Sequence, residues 1–382
     1  MALWRGLLFA LTLALAPAFS HAQIIETDAE YAVIMDHETG EILWSKEADT
    51  PMVPASMTKM MTAYFVFDLI EQGEITLEDT IEVSADAWRR GGFPSGTSTM
   101  GLSPKERPTV EQLLHGLIIM SGNDACIVLG EGIAGSEAAF ARQMTERAHE
   151  LGLSTVNFVN ATGLEGEGHV VSSADLARLA RLIISDFPQY YAWYSKSEYT
   201  WGGYTQANRN PLLGTMDGAD GLKTGHLDES GYGLTASAVR DGKRRIIVIN
   251  GLPSKQARAQ EAERLMRMAF SAFETRTIAG GDARLAELDV WMGDRRKVGV
   301  RLATSADVTA HKRAFAKGKS EIVYDKLIEA PITAGDEIAT LVVTIEGKDP
   351  IELPLVASED VARLGFVGRA IEGLSRMMDG GA

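Results

Sequence analysis

Residues 54–70 read PASMTKMMTAYFVFDLI, and the apolar side chains of this stretch cover nearly every side of a helix. A helix that is apolar all round is buried rather than exposed on one face. Ser56 therefore stands at the first turn of a predicted core helix, with Lys59 one turn further on the same face. The structural alternative is a helix-capping serine beside a surface lysine. A lysine inside so apolar a helix argues against that alternative.

Ser56-Met57-Thr58-Lys59 is also an S-x-x-K motif, in which a serine and a lysine act together. A serine hydroxyl is a poor nucleophile until a base removes its proton. A lysine amine can be that base if burial, or a second cation such as Lys223, lowers its pKa. The start of the helix adds partial positive charge where an oxyanion would form. The stretch therefore predicts an activated serine.

A second motif, Ser121-Gly122-Asn123, falls between two apolar helical segments, the first of which begins with the capping box at 109–112. At such a junction both polar side chains can point into a cleft. In the chemical interpretation Ser121 relays a proton toward the leaving group, and the Asn123 amide holds a substrate carbonyl. Serine, glycine and asparagine are also ordinary turn residues, so a simple helix–helix turn is the alternative.

The third motif, Lys223-Thr224-Gly225, lies in a predicted edge strand at 221–227. A hairpin follows, because Asp241-Gly242 separates two strand-like runs. An extended peptide could add to the edge strand through backbone hydrogen bonds, and Gly225 would let its backbone approach closely. The lysine and threonine offer a cation and a hydroxyl to a carboxylate. The alternative is a turn with a solvated lysine.

The three motifs occur in this order, Asn208-Arg209-Asn210 precedes the third, and His226 follows it directly. With these features the chain resembles the D-alanyl-D-alanine carboxypeptidases among the low-molecular-weight penicillin-binding proteins. The resemblance runs from about Glu30 to the C-terminus. It implies an α/β fold of the β-lactamase/transpeptidase type, in which an antiparallel sheet is flanked by helices beside a helical cluster. A small C-terminal all-β domain and a terminal amphipathic helix complete the expected architecture.

The resemblance also implies an activity, removal of the terminal D-alanine from peptidoglycan stem pentapeptides through a serine acyl-enzyme, without metal or cofactor. β-Lactams should acylate the same serine, and the expected role is in peptidoglycan synthesis and cell-shape maintenance. The residues that it assigns are Ser56 (nucleophile), Lys59 (general base), Ser121 (proton relay), the backbone N–H groups of Ser56 and His226 (oxyanion hole), and Asn123, Lys223, Thr224, Gly225, His226, Arg209 and Arg258 (substrate binding). Either arginine is a plausible carboxylate partner for Thr224.

Two departures separate the chain from class A β-lactamases. Those enzymes carry S-D-N as the middle motif, where this chain has Gly122. They also use a glutamate in an E-x-x-L-N stretch, which is missing from 160–169. Efficient penicillin hydrolysis is therefore not expected. Asp175 forms a predicted capping box with Ser172. The alternatives to the carboxypeptidase are a β-lactamase, a D,D-endopeptidase or transpeptidase, and a non-catalytic penicillin-binding protein.

Four segments are expected along the chain: a signal peptide at 1–22, a catalytic domain at 23–276, a β domain at 277–357 and a membrane-associating tail at 358–382. The tail repeats apolar residues at helical spacing from Glu359 to Met378. The apolar spacing leaves two interpretations open, a helix packed on the β domain and a helix that lies in the bilayer interface. The signal peptide predicts export, and the resemblance implies a location in the periplasm with attachment to the outer face of the cytoplasmic membrane. The net charge of −15 argues against nucleic-acid binding, and a single cysteine, Cys126, excludes a disulfide within the chain.

Overall fold

The computed structural model describes residues 25–278, 283–325, 328–368 and 370–372. The predicted signal peptide and residues 373–382 of the predicted tail lie outside these ranges. Within them the α-helices are α1 (Lys59–Glu71), α2 (Ala85–Gly91), α3 (Val110–His115), α4 (Asn123–Ala134), α5 (Glu137–Glu150), α6 (Ser173–Asp186), α7 (Pro188–Tyr191), α8 (Lys255–Ser271) and α9 (Lys312–Lys317). The β-strands are β1 (Tyr31–Asp36), β2 (Ile42–Lys46), β3 (Glu198–Trp201), β4 (Tyr204–Ala207), β5 (Ala219–Leu227), β6 (Gly231–Arg240), β7 (Lys243–Leu252), β8 (Phe273–Ile278), β9 (Ala286–Trp291), β10 (Lys297–Leu302), β11 (Ala306–His311), β12 (Lys319–Val323), β13 (Ile328–Glu329), β14 (Glu337–Thr344) and β15 (Ile351–Ala357).

The first sheet is antiparallel and runs in the order β2-β1-β7-β6-β5. Its central strands are apolar on both faces because helices cover both. Val33 and Val248 pack toward the cluster that contains α1, α4 and α6, whereas Ile34 and Ile249 pack toward α8. Successive side chains of a strand point to opposite faces, so one continuous apolar run supplies both layers. The predicted sheet with flanking helices and a helical cluster is confirmed.

The predicted edge position of the third motif is also correct, because β5 has a paired neighbour only on the β6 side within the described sheet. The hairpin from β6 to β7 turns at Asp241-Gly242, and both residues have positive φ angles, 50° and 71°. These angles suit the tight turn that Asp-Gly favours. The turn therefore sets the register between β6 and β7, and β5 pairs with the other side of β6.

The C-terminal part of the described chain contains a second sheet, with the order β12-β14-β15-β10-β9-β13, and a separate pair formed by β8 and β11. The predicted β character is confirmed. Sequence reasoning missed β8, β11, β13, β15 and the short helix α9. Phe273 follows the C-cap residue of α8, Ala272, and begins β8. Pro354 lies inside β15, and a proline within an apolar run is ordinarily a signal against a strand.

The prediction of one helix from Glu359 to Met378 is wrong at its start. Val361 forms an isolated β-bridge with Ile332 and is buried in the core of the second sheet, and helix begins only at Phe366. Val361 thus belongs to β packing rather than to an apolar helix stripe. The exposed apolar side chains of the described helical residues are Phe366, Val367 and Ile371. The described residues include no helix long and apolar enough to cross a membrane.

Candidate active site

The first motif lies where the chain enters the core. Ser56 is on a 3-10 turn, Ala55–Thr58, which leads directly into α1, so the serine precedes the α-helix rather than lying on its first turn. Ala55 has a φ of 49°, an unusual left-handed conformation for a residue with a side chain. The apolar helix predicted after the motif is buried as expected. Lys59 is its first residue and is buried as well, with an exposed fraction of 1%.

Lys59 makes three contacts through Nζ: 2.9 Å to Ser56 Oγ, 2.7 Å to Asn123 Oδ1 and 2.5 Å to the backbone oxygen of Thr162. Burial lowers the pKa of Lys59 to about 8, and the nearby Arg209 charge acts in the same direction. The amide and carbonyl oxygens have no proton to give, so both accept from the amine. A neutral Lys59 then has its lone pair left for the Ser56 hydroxyl.

The second motif forms a sharp junction between helices. The predicted capping box of Thr109 and Gln112 is present at the start of α3, and a π-helical turn at 116–120 carries the chain to Ser121. Ser121 has a φ of 60°, and Asn123 begins α4. Asn123 Nδ2 also donates to Thr97 Oγ1 at 2.9 Å. The amide is therefore held between Lys59 and the loop that contains Thr97.

Gly122 is enclosed tightly enough to explain why this motif departs from S-D-N. A Cβ atom at this position would lie 2.9 Å from the backbone nitrogen of Met100 and 2.9 Å from a carboxylate oxygen of Asp124. Asp124 is fully buried and accepts hydrogen bonds from Thr99 Oγ1 and the backbone of Met100. An aspartate at 122 would add a second buried carboxylate beside the first, which is unfavourable.

The third motif brings a second buried lysine against the second motif. Lys223 Nζ donates to Ser121 Oγ at 2.9 Å and to the backbone oxygen of Thr224 at 3.2 Å. Burial lowers the pKa of Lys223 well below its ordinary value, and the neighbouring Lys59 lowers it further. The structure thus contains two lysine–serine pairs, Lys59 with Ser56 and Lys223 with Ser121.

Gly225 has a different steric role from the one expected. A Cβ atom here would lie 2.6 Å from the backbone oxygen of Pro54 and 3.3 Å from Cβ of Ala55. The glycine therefore lets β5 lie directly against the turn that holds Ser56, whereas the sequence predicted that it would make room for substrate. This contact positions the edge strand next to the nucleophile.

The remaining predicted binding residues lie around one cavity. The His226 ring stacks on Tyr232 with ring centroids 3.8 Å apart, and Arg258 lies over the same tyrosine at 5.8 Å. Arg258 Nε is buried and has no hydrogen-bond partner among the described residues. Arg209 donates to Ser98 Oγ. Burial lowers the pKa of both arginines.

The cavity has a volume of about 720 Å³. Its lining residues are Ser56, Gly96, Thr97, Ser98, Ser121, Asn123, Gly163, Leu164, Arg209, Thr224, Gly225, His226, Leu227, Tyr232, Lys255 and Arg258. Among the described residues the lining contains basic side chains and no acidic one, although the whole chain has a net charge of −15. Lys59 and Lys223 are buried beneath it. Such a cleft favours an anionic substrate.

The segment at 160–169, which the sequence analysis compared only with the glutamate stretch of class A β-lactamases, lies in a loop at 157–170 that packs against the first motif. Besides the Thr162 oxygen on Lys59, the backbone oxygen of Ala161 accepts from Thr62 Oγ1 at 2.7 Å. The side chain of Asn160 accepts from the backbone nitrogens of Thr162 and Gly163. The only signal for this loop in the sequence was the turn-forming pair of Asn160 and Gly163.

Gly163 lets this loop lie directly against the turn that holds Ser56. Its φ is 76°, and a Cβ atom would lie 1.8 Å from the Ala55 backbone oxygen. Gly163→Ala should therefore destabilise the protein by about 2–4 kcal/mol and slow acylation about tenfold or more. Gly168→Ala is the matched control, because Gly168 has a φ of 75° but its nearest contact would be Asn157 Nδ2 at 3.3 Å. Thermal denaturation and penicillin labelling measure both; equal effects would contradict the expectation.

Asp175 has a structural role at the start of α6, as predicted, but its carboxylate is bonded to Thr155. The Ser172 hydroxyl accepts from the Asp175 backbone at the start of α6. The Asp175 carboxylate, however, accepts from the backbone nitrogen and hydroxyl of Thr155 instead of completing a capping box. Asp175 is fully buried and is not among the residues that line the cavity.

Comparison with known proteins agrees with this arrangement of motifs. Residues 18–253 match the sequence model of a family described as D-alanyl-D-alanine carboxypeptidase, and residues 273–363 match that of the penicillin-binding protein 5 C-terminal domain. The chain belongs to the D-alanyl-D-alanine carboxypeptidase family. It is 35% identical over 359 residues to the D-alanyl-D-alanine carboxypeptidase DacC of Escherichia coli, covering 92% of this chain and 90% of that protein.

Solved structures of family members extend the similarity to the fold. Penicillin-binding protein 5 from Haemophilus influenzae is similar with a TM-score of 0.74 and 32% identity, over 88% of this chain and 98% of that one. Penicillin-binding protein D2 from Listeria monocytogenes, in its ampicillin-bound form, is similar with a TM-score of 0.57 and 32% identity, over 65% of this chain and 99% of that one. The chain shares the β-lactamase/transpeptidase-like fold of this family of serine hydrolases.

Proposed function

We propose that this protein is a D-alanyl-D-alanine carboxypeptidase in which Ser56 forms the acyl-enzyme and Lys59 is its general base. The observation that supports this most directly is the pair of lysine–serine contacts, each 2.9 Å, at one cavity: Lys59 with Ser56, and Lys223 with Ser121. The substrate class is the peptidoglycan stem peptide that ends in D-Ala-D-Ala. β-Lactams, which mimic that end, acylate the same hydroxyl.

The first step is attack of Ser56 Oγ on the carbonyl carbon of the penultimate D-alanine. The hydroxyl proton passes to the neutral Lys59 amine, whose own two protons are donated to Asn123 Oδ1 and the Thr162 oxygen. The backbone N–H groups of Ser56 and His226 stabilise the oxyanion that develops on the substrate carbonyl.

The second step is loss of the terminal D-alanine. The proton moves from Lys59 through the Ser121 hydroxyl, which contacts Lys223, to the departing amine, and the carbon–nitrogen bond breaks. Water then attacks the ester, and Ser56 recovers its proton as the shortened peptide is released. Each proton taken from a nucleophile is thus returned to a leaving group.

The terminal carboxylate is bound at the third motif. Thr224 offers a hydroxyl, and Lys223, Arg209 and Arg258 supply positive charge around the cavity. Arg258 is well suited to this role because its Nε is buried without a hydrogen-bond partner among the described residues. Burial of these cations away from water strengthens their attraction for a carboxylate.

The rate of acylation should rise with pH through the pKa of Lys59. Only the neutral amine accepts a proton, and that pKa is lowered to about 8. The second-order rate constant for acylation by a penicillin should increase about tenfold per pH unit below pH 8 and level off above it. Stopped-flow measurement from about pH 6 to about pH 9.5 tests this. A flat profile across that range would rule out Lys59 as the base.

The direct test is release of D-alanine from a soluble peptide ending in Lys-D-Ala-D-Ala. Catalytic turnover would support the carboxypeptidase over the alternatives. Folded protein that reacts with penicillin but releases no D-alanine would favour an endopeptidase or transpeptidase acting on cross-linked material, or a non-catalytic binding protein. Rapid recovery of free enzyme from the penicillin adduct would favour a β-lactamase, and the missing E-x-x-L-N stretch at 160–169 argues against that outcome.

The place of action follows from the same proposal. We infer export to the periplasm after removal of residues 1–22, a division between catalytic and β domains at 276/277, and attachment to the outer face of the cytoplasmic membrane through the tail at 358–382. Phe366, Val367 and Ile371 support the attachment, because exposed apolar side chains on a helix suit a bilayer interface.

A further inference from the structure

His169 is a buried histidine that the proposed reaction does not use. Its exposed fraction is 2%, and it is not among the residues that line the cavity. Its Nε2 lies 2.8 Å from Thr58 Oγ1, and its Nδ1 lies 3.2 Å from the backbone nitrogen of Val159. Both ring nitrogens are therefore engaged, so His169 is not available as a base for substrate.

The two contacts determine which nitrogen carries the proton. The Val159 backbone N–H can only donate, so Nδ1 must accept and is unprotonated. A neutral ring then has its proton on Nε2 and donates it to Thr58 Oγ1. Burial, together with the Lys59 charge, lowers the pKa of His169 to about 4, so the ring is neutral at neutral pH.

The hydrogen bond from His169 to Thr58 joins two parts of the site that are far apart in sequence. Thr58 lies between the nucleophile and the base, on the turn that continues into α1. His169 closes the loop whose Thr162 oxygen contacts Lys59 Nζ at 2.5 Å. The part of the loop next to Thr162 is held separately, because Glu137 Oε1 accepts from the Ala161 backbone nitrogen at 3.1 Å and the Ala161 oxygen accepts from Thr62 Oγ1 of α1 at 2.7 Å. His169 thus clamps the other end of the loop directly to the S-x-x-K turn.

We propose that His169 is a positioning residue for acylation, which holds the Thr162 carbonyl against Lys59 by donating a hydrogen bond to Thr58. This inference rests on the proposed function. If the clamp is lost, the S-x-x-K turn is no longer fixed to the end of the loop, and the Lys59 amine shifts relative to the Thr162 oxygen that accepts one of its protons. The lone pair of Lys59 is then no longer directed at the Ser56 hydroxyl. A displacement of about 1 Å in such a group can slow a reaction about a hundredfold.

Two substitutions at His169 separate the clamp from simple packing. In His169→Gln the amide nitrogen reaches the place of Nε2 and can still donate to Thr58, while the acceptor for Val159 is lost. In His169→Asn the amide oxygen takes the place of Nδ1 and can still accept from Val159, while the donor to Thr58 is lost. We expect acylation by penicillin to stay within about threefold of wild type for Gln and to fall about tenfold to a hundredfold for Asn.

The same variants are assayed for D-alanine release and for thermal stability. If His169 acts by positioning, His169→Asn lowers kcat and leaves KM nearly unchanged. The cations that bind the substrate carboxylate lie on other elements and are not displaced. Equal loss of activity in Gln and Asn, or loss that only follows the fall in melting temperature, would overturn the proposal. If His169→Asn does not fold, Thr58→Val removes the same hydrogen bond from the other partner and should give the same fall in kcat.

A double-mutant cycle completes the test. Adding His169→Asn to Thr58→Val should slow acylation by less than about twofold more, because the hydrogen bond is already absent. Additive effects would overturn the assigned partner. Wild-type protein that neither binds penicillin covalently nor releases D-alanine would instead contradict the proposed function, so the two failures are distinguishable.

Discussion

Ser56→Ala should abolish covalent labelling by penicillin and lower the rate of D-alanine release by about 10⁴-fold or more. The Ser56 hydroxyl lies at the cavity 2.9 Å from the Lys59 amine, whose two other contacts are oxygen atoms that accept its protons, so the lone pair of the neutral amine is directed at Ser56. Without it neither the ester nor its proton transfer can form. Mass spectrometry of the intact protein after incubation with penicillin measures the adduct, and a chromatographic assay measures D-alanine.

The stability of the Ser56→Ala protein should remain close to that of wild type. Among the described residues the Ser56 hydroxyl has a hydrogen bond to Lys59 and none that caps a helix. Ser84→Ala is a matched control, because the Ser84 hydroxyl accepts from the Ala87 backbone and caps α2. That variant should lose about 1 kcal/mol of stability and label normally. A penicillin adduct on the Ser56→Ala protein would disprove the assignment of the nucleophile.

Lys59→Ala should lower kcat/KM about 10³- to 10⁴-fold, the contribution expected of a general base. The loss also leaves Asn123 Oδ1 and the Thr162 oxygen without the buried donor that they share. Penicillin acylation should fall by a similar factor, because it needs the same proton transfer. Both rate constants are measured on protein whose melting temperature has been determined, so that loss of fold is separated from loss of chemistry.

Lys46→Ala provides the comparison for Lys59. Lys46 also donates to backbone oxygens, those of Thr27 and Ala29, but it is exposed and lies outside the cavity. Its removal should leave penicillin labelling unchanged. Normal labelling of Lys59→Ala would exclude the lysine as base and transfer that role to another group at the cavity.

Much of the fold could be predicted because its signals are local. The apolar run after Ser56 indicated a buried helix, and Asp241-Gly242 indicated the hairpin that makes β5 an edge strand. The failures have physical reasons as well. Strand β15 was not predicted because Pro354 lies within it, and proline is a signal against a strand. Val361 fits a helical spacing in the sequence, but its contact is a β-bridge to Ile332. Apolar spacing over a few turns does not distinguish a side chain packed on a helix face from one packed under a sheet.

The first motif was sufficient to predict the paired chemistry of Ser56 with Lys59, and the three motifs together with Asn208-Arg209-Asn210 and His226 were sufficient to predict the family. Ser56 and Lys59 are three residues apart along a helical turn, so their side chains lie on one face, and their residue types supply a nucleophile and a base. The contacts of Thr162, His169 and Gly225 were not predictable in the same way. Each depends on segments more than a hundred residues apart in sequence that meet only when the sheet and the helices pack. Local sequence specifies which groups can react, whereas close packing over long sequence distances determines how the base is oriented toward the nucleophile.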